Sequence, residues 1–471
     1  MDSLKIRIRE SIFLSNLSED LLCQVKADNV FSNPSYISNE EQGRSNWKTE
    51  PTITTYSYEN GFLVLPRGYM SQLLTLCKKH GIDPEIIDER SVVECAFPEE
   101  LAGIKLRPHQ QKAVCASLKY SQGCVVSPTG SGKSLIGLEI IRQKQQRSLI
   151  LVHRSDLATQ WQEVIKERLG IEAGMIGAGE WTIGEEITVA LVQSLQSREK
   201  DTKALVETFG LILCDEMHHI PAKNIFELLA WFPAKYRYGL SATPRRRDGL
   251  EKMIYLGVGP IFIEIDKKEV EELGAIVPAS VNVLETHFKP EYCNSWHEYS
   301  SQLSVCGKRN ELIIDLSKNQ TEQVLVLVDR VSHAEQLSEM FSGRGVEHVL
   351  VHGQLAKSER TNAMQAMKTA AITVGTTSLL GEGLDVSAWS ILILASPISS
   401  EIKLRQAIGR VVRSAPGKKK ALVYDLKDDC GFAGSSFNKR FEIYKQQNIW
   451  VNFPKQTSEH NERGSLRRRA S

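Results

Sequence analysis

Ser127-Pro128-Thr129-Gly130-Ser131-Gly132-Lys133-Ser134 is the stretch on which the reading of this 471-residue chain turns. It follows the apolar run Cys124-Val125-Val126 and precedes apolar residues at helical spacing, Leu135, Ile136, Leu138, Ile140 and Ile141. A strand, a glycine loop and a helix start, in that order, are the setting of a phosphate-binding loop. Glycines let backbone N–H groups wrap a phosphate, and the helix N-terminus adds partial positive charge. Pro128, Thr129, Gly130, Ser131 and Gly132 would form that cradle. Lys133 would reach the β- and γ-phosphates of ATP, and Ser134 would set its hydroxyl on Mg²⁺. One residue departs from the generic pattern, which has glycine where Ser127 stands.

Working outward, the strands of an α/β protein flank the loop. Near-continuous Ile/Leu/Val runs at Gly123–Val126, Ser148–Val152, Ile187–Leu191, Leu211–Cys214 and Tyr238–Leu240 alternate with amphipathic helices. Runs apolar on both faces suit a parallel sheet covered on both sides. A second series follows at Val324–Val328, His348–Val351, Ile372–Gly375, Ile391–Leu394 and Ala421–Tyr424. Between the two, an acidic run (Glu269, Glu271, Glu272) meets Gly274 and Pro278. The predicted organisation is a small leading domain over 1–100, one α/β lobe over 101–272, a second over 273–450 and a basic tail over 451–471. In the leading domain Lys5–Glu10, Thr52–Tyr58 and Phe62–Pro66 read as strands and Met70–His80 as a helix. Asn60-Gly61 is a hairpin dipeptide.

Composition bounds the partners. The formal charge is +1, so no global field advertises a polyanion, and such contacts must be local. Nine scattered cysteines include no Cys-x-x-Cys pair. That argues against a disulfide framework or zinc site and fits a reducing, cytoplasmic setting. The first residues lack the apolar core of a signal peptide, and no apolar run is long enough to span a bilayer.

Further motifs fall in register with the loop. Asp215-Glu216-Met217-His218 directly follows the strand Leu211–Cys214. A carboxylate at the C-terminal end of a buried strand can reach the metal beside the phosphates. Asp215 is thus the expected Mg²⁺ ligand, and Glu216 the group that orients and polarises attacking water. Ser241-Ala242-Thr243 ends the next strand, where small hydroxyl residues can sense the γ-phosphate. In the second lobe Gln406, Arg410 and Arg413 follow i, i+4, i+7 spacing and so are expected on one helix face. Two guanidiniums on one stripe suit a polyphosphate. They are expected to act as an arginine finger in cis, worth roughly 10³- to 10⁵-fold in rate by analogy with GTPases.

These motifs together resemble superfamily 2 helicases and translocases of the DExH type. The resemblance runs from about 105 to 428 and keeps the family's motif order. It implies two tandem RecA-like lobes behind a small N-terminal α+β domain, ATP hydrolysis, and nucleic acid as partner. Leu106-Arg107-Pro108-His109-Gln110 is similar to the adenine-reading segment, with Gln110 as base contact. Val152–Ser155, with Arg154, and Val192-Gln193-Ser194 resemble the first-lobe nucleic-acid motifs. Thr376-Thr377 with Gly381-Glu382-Gly383-Leu384-Asp385 resembles motif V, which implies nucleotide contacts at Gly383 and Asp385. The resemblance also implies nucleic-acid contacts at Arg154, Gln193, Ser194, His352, Gly353, Thr376 and Thr377.

Within the superfamily the look is that of XPB-like and phage UvsW-like DNA helicases. The stretches Asn46-Trp47 and Gly61–Gly68 and the run Arg245-Arg246-Arg247-Asp248 carry that likeness. Arg247 stands where XPB relatives have glutamate, which puts the XPB role of that element in doubt. The resemblance implies DNA as partner, whether single-stranded, duplex or branched, in repair, recombination or fork processing. RNA is the alternative partner. Another alternative is the motor subunit of a restriction or defence complex, and other repair or defence proteins are possible partners. A non-motor ATP-gated scaffold is opposed by Lys133, Glu216 and Arg410 together. Lys48, Arg67, Lys78 and Lys79 are expected phosphate contacts of the leading domain, while Arg467-Arg468-Arg469-Ala470-Ser471 reads equally as a phosphate-binding arm, a basophilic-kinase site or a cloning remnant.

Overall fold

The computed structural model describes residues 3–216, 222–242, 250–293, 295–377 and 386–454. The chain is α/β and divides into two compact units, Met1–Leu273 and Gly274–Ser471.

The first unit holds an eight-stranded sheet. Its central five strands are all parallel, in the order Ile187–Leu191, Ser148–Val152, Leu211–Asp215, Tyr236–Ser241 and Gln122–Val126. Each of the predicted runs is a strand, within two residues at either end. Most of their residues are buried, as strands covered on both faces must be. Ile261–Glu264 extends one edge, and Gly174–Gly177 with Glu180–Trp181 the other. These additions were not predicted, being short and carrying little periodicity. Parallel pairing brings Val126, Asp215 and Ser241 to one end of the sheet, since Asp215 pairs with Leu240 and Ser241 with Val126.

The second unit is a seven-stranded sheet with every pairing parallel. Its order is Val349–Val351, Ile372–Thr376, Val324–Val328, Ile391–Leu394, Ala421–Lys427, Ala279–Glu285, Trp450–Asn452. The core packs Val324, Val326 and Val328 against Ile313, Leu337 and Phe341 of the covering helices.

The leading residues form a mixed five-stranded sheet with helices Glu19–Asp28 and Met70–Lys79. The Asn60-Gly61 hairpin forms as expected, both residues having positive φ between paired Glu59 and Phe62. The single strand expected over Thr52–Tyr58 is instead two, Thr52–Thr54 and Ser57–Glu59, in different sheets. Helix Pro34–Glu41 was also not anticipated. Its signal was present: proline in the first turn, and Asn33 accepting from the Ser35 N–H as N-cap.

This leading domain is joined to the first sheet through its core. Leu256 and Phe226, from helices of the lobe, pack with Ile6, Leu14, Leu65 and Tyr69. Arg67, expected to meet phosphate, is instead buried at 1% exposure. Its guanidinium donates to the Ala234 and Lys235 carbonyls at 2.6 and 2.8 Å and to Gln122 Oε1 at 3.2 Å. Arg237 reaches back from the lobe to the Glu10 carbonyl at 2.9 Å. Gly68 permits the approach: a Cβ there would sit 2.0 Å from the Tyr255 carbonyl oxygen. Among the described residues no helix is long and apolar enough to cross a membrane.

Candidate nucleotide site and nucleic-acid face

The loop 127–134 leaves the end of strand Gln122–Val126 and enters helix Lys133–Lys144. Gly130 and Gly132 take the left-handed conformation, at φ +86° and +83°. A Cβ on Gly132 would meet Gln110 Nε2 at 2.3 Å, so glycine there answers both backbone and space. Ser127 has a local explanation. It is buried, and its hydroxyl lies 2.7 Å from Ser131 Oγ, closing the loop with a hydrogen bond that glycine could not supply. Thr129 and Pro128 line the same partly exposed turn, and Ser134 sits in the first turn of the helix.

Helix Pro108–Leu118 braces this loop. Gln110 Nε2 donates to the Ser131 carbonyl at 2.9 Å, and its Oε1 accepts from the Arg107 N–H. His109 Nε2 lies 3.0 Å from the same carbonyl. The amide of Gln110 is therefore directed at the phosphate loop itself. His109 was missed in the sequence, where only its adjacency to Gln110 could have marked it.

Across the sheet end, Lys133 Nζ lies 3.3 Å from Glu216 Oε1. Glu216 follows the strand Leu211–Asp215 with φ +46°, which turns its side chain back towards the loop. Asp215 is buried, accepting from Trp161 Nε1 at 2.8 Å and from the Glu216 N–H at 2.9 Å. Trp161 was not singled out from sequence. It lies on helix Ser155–Leu169, and only the fold brings it to the carboxylate.

Burial pushes the Asp215 carboxyl up to about 6, with the neighbouring Glu216 charge adding to it. The buried Asp215 carboxylate and the partly buried Glu216 carboxylate beside Lys133 bring two acidic groups together. Together with the hydroxyl-bearing Ser134, that donor set is of the hard-oxygen type suited to Mg²⁺. A stability consequence follows. A carboxyl raised above its ordinary value of 3.8 favours the fold below that value and loses the contribution as pH rises through about 6. Asp215→Asn is expected to become more stable relative to the unmodified protein between pH 5 and pH 8, by on the order of 1 kcal/mol. Urea unfolding of the ligand-free protein at both pH values checks this. An equal difference at the two would show that Asp215 is not perturbed.

In the second unit Gln406 and Arg410 lie on helix Glu401–Val411, four residues apart and both buried. Arg413 departs from the expected stripe. The helix ends at Val411, and Arg413 lies beyond it in a β-bridge with Ile276. Its position is set by that pairing and by the Val277 N–H to Val412 carbonyl bond, not by helical spacing.

The expected nucleic-acid residues fall at strand ends. Arg154 caps the helix after Ser148–Val152 and pairs with Asp156 at 2.9 Å. Gln193, with Ser194 beside it, follows the adjacent strand and donates to the His153 carbonyl at 3.3 Å. These three are brought to one edge of one sheet. In the second unit His352 is buried, its Nδ1 accepting from the Gln354 N–H and its Nε2 3.7 Å from Glu335. Gly353 beside it is exposed. Thr376 and Thr377 are buried at the end of their strand, with Thr377 Oγ1 3.4 Å from Asp329. Gly383, Asp385, Met217, His218, Thr243, Arg245–Arg247 and the tail arginines lie outside the described residues.

Comparison with known proteins follows the same outline. Residues 103–246 match the family "Type III restriction enzyme, res subunit", and residues 308–415 match "Helicase conserved C-terminal domain". The chain is 28% identical to the "DNA 3'-5' translocase XPB2" of Sulfurisphaera tokodaii, covering 74% of this chain and 88% of that one. It is 24% identical to the "ATP-dependent DNA helicase uvsW" of Enterobacteria phage T4, over 87% of each. Among solved structures, Saccharomyces cerevisiae Dbp5 bound to RNA and ADP–beryllium fluoride matches with a TM-score of 0.54 at 15% identity. That match covers 74% of this chain and 94% of that one. It shows the shared tandem RecA-like fold.

Proposed function

We propose that this chain, which belongs to the superfamily 2 helicases and resembles XPB and UvsW, is an ATP-dependent motor acting on DNA. The observation that carries this reading is the Lys133–Glu216 pair at the C-terminal end of the sheet, where Gln122–Val126 and Leu211–Asp215 flank Tyr236–Ser241, directly beside a glycine loop and a helix N-terminus.

The chemistry follows from the residues. Backbone N–H groups of 130–134 and the helix dipole hold the phosphates. Lys133 exchanges its carboxylate partner for phosphate oxygen. Glu216, released from the lysine, orients water and accepts its proton. Asp215 and Ser134 would hold Mg²⁺, which when bound offsets charge on the phosphate oxygens. Trp161 and the Glu216 N–H keep Asp215 in one orientation. Gln110 links the loop to a base. Arg410, Arg413 and Gln406 supply the positive and amide groups that phosphoryl transfer needs, and Gly383 and Asp385 add nucleotide contacts by resemblance. Arg154, Gln193 and Ser194 of the first lobe, and His352, Gly353, Thr376 and Thr377 of the second, are the nucleic-acid contacts, which grip backbone without reading sequence. The lobes are assigned to 101–272 and 273–450, with 1–100 as a DNA-engaging accessory domain.

A single panel tests the reading: ATP hydrolysis with single-stranded, duplex and forked DNA and with RNA. Stimulation by DNA is expected. Stimulation by RNA alone would move the assignment to an RNA helicase, and a rate indifferent to every nucleic acid would remove the motor.

A further inference from the structure

We propose that Ser396, Ser399 and Ser436 are positioning residues that fix the direction of the arginine helix Glu401–Val411. The proposal rests on the reading that Arg410 of that helix acts on the transferred phosphoryl group.

The connection 395–400, between strand Ile391–Leu394 and the helix N-cap Ser400, is held by three separate buried polar groups. The first is Arg309, fully buried with Asp428 at 2.8 Å; its other arm donates to the Ala395 carbonyl. Asp428 is completed by the hydroxyls of Tyr299, at 2.6 Å, and Thr286. The second is Arg440, buried with Asp425 at 2.8 Å and donating from Nη1 to Ser436 Oγ at 2.8 Å. Because Ser436 accepts there, its own proton is available to Ser399 Oγ, 3.2 Å away.

The third is His333. Burial, reinforced by the nearby Arg309 charge, pushes its imidazole down to about 3, so it is neutral. Asn310 donates its amide to the Ser304 carbonyl and so presents Oδ1 to His333 Nε2 at 3.0 Å. The proton therefore sits on Nε2, and Nδ1 accepts from the Ser396 hydroxyl, 3.4 Å away.

Buried ion pairs are poor stabilisers, because desolvation offsets most of their attraction and apolar residues often do as well. Two such pairs and a neutral histidine directed at one short connection therefore point to direction as what they secure. The lever is long: Arg410 is ten residues past Ser400, about 15 Å along the helix, so a tilt of about 4° moves its guanidinium by about 1 Å. Displacement of that size costs up to about 10² in rate.

Ser396→Ala, Ser399→Ala and Ser436→Ala are the test, with DNA-stimulated ATP hydrolysis as readout. Each is expected to lower kcat about tenfold with KM for ATP within about twofold of the unmodified protein. The unfolding midpoint should be close to that of the unmodified protein for Ser399→Ala, because Ser399 is exposed. In an Arg410→Lys background the same substitutions should change kcat by less than about twofold, because the group they position has already been altered. Unchanged kcat in the single variants, or the full tenfold loss repeated in the Arg410→Lys background, overturns the proposal and leaves the role of Arg410 intact. A normal rate in Arg410→Lys alone overturns both.

Discussion

Lys133→Ala leaves a folded protein that does not hydrolyse ATP, whatever nucleic acid is added. The lysine pairs with Glu216 Oε1 at 3.3 Å and also acts on the buried Asp215 carboxylate. In the ligand-free protein it offsets their charge, and in the complex it offsets that of the β- and γ-phosphates. Its removal therefore acts twice: it deletes a phosphate contact and leaves Asp215 and Glu216 repelling the incoming polyphosphate. A loss of at least about 10³ in kcat/KM is expected, in the range of removing a principal electrostatic contact at a transferring phosphoryl group. Fluorescent-nucleotide titration should show weakened binding in parallel. Hydrolysis within tenfold of the unmodified protein would mean that the loop does not hold the reacting phosphates.

Arg410→Ala is expected to separate the two activities. ATP should bind with little change, because the cradle 127–134 is untouched, while turnover falls by about 10³ or more, as for arginine fingers elsewhere. Gln406 lies one turn back on the same helix face, so Gln406→Ala should show a smaller loss of the same kind. Arg413 provides the contrast. It lies past the helix end, pinned by pairing with Ile276, so its guanidinium is placed by a strand-like bridge. Equilibrium nucleotide binding and steady-state hydrolysis, measured on the same preparations, test this. Turnover at the unmodified rate in Arg410→Ala would reject the arginine's part in the reaction.

Much of the architecture was readable because burial imposes composition. Ser148–Val152, Leu211–Asp215 and Val324–Val328 are covered on both faces, so they carry uninterrupted apolar runs that a pattern reading finds. The phosphate loop was readable for a related reason: its glycines are required by backbone conformation at Gly130 and Gly132. The edge strands Glu180–Trp181, Ile261–Glu264 and Trp450–Asn452, and Gly174–Gly177 beside the first of them, carried less signal, being only two to four residues long. Arg67 was misread because a surface arginine and a buried one look alike in a sequence. Its three hydrogen-bond acceptors come from residues 122, 234 and 235, far along the chain.

Local rules thus determined the strand–loop–helix unit, the alternation of strands and helices in each lobe, and the residue types at the strand ends. Each depends on neighbours within a few positions, where backbone conformation and periodicity act. Tertiary structure alone decided the rest. It set Trp161 against Asp215, directed Gln110 and His109 at one carbonyl, buried Arg67 beneath the sheet, and gathered Arg309, His333 and Ser436 under the segment before the arginine helix. Those contacts join side chains from distant parts of the chain. Their partners are chosen by strand order and packing, which no local pattern encodes.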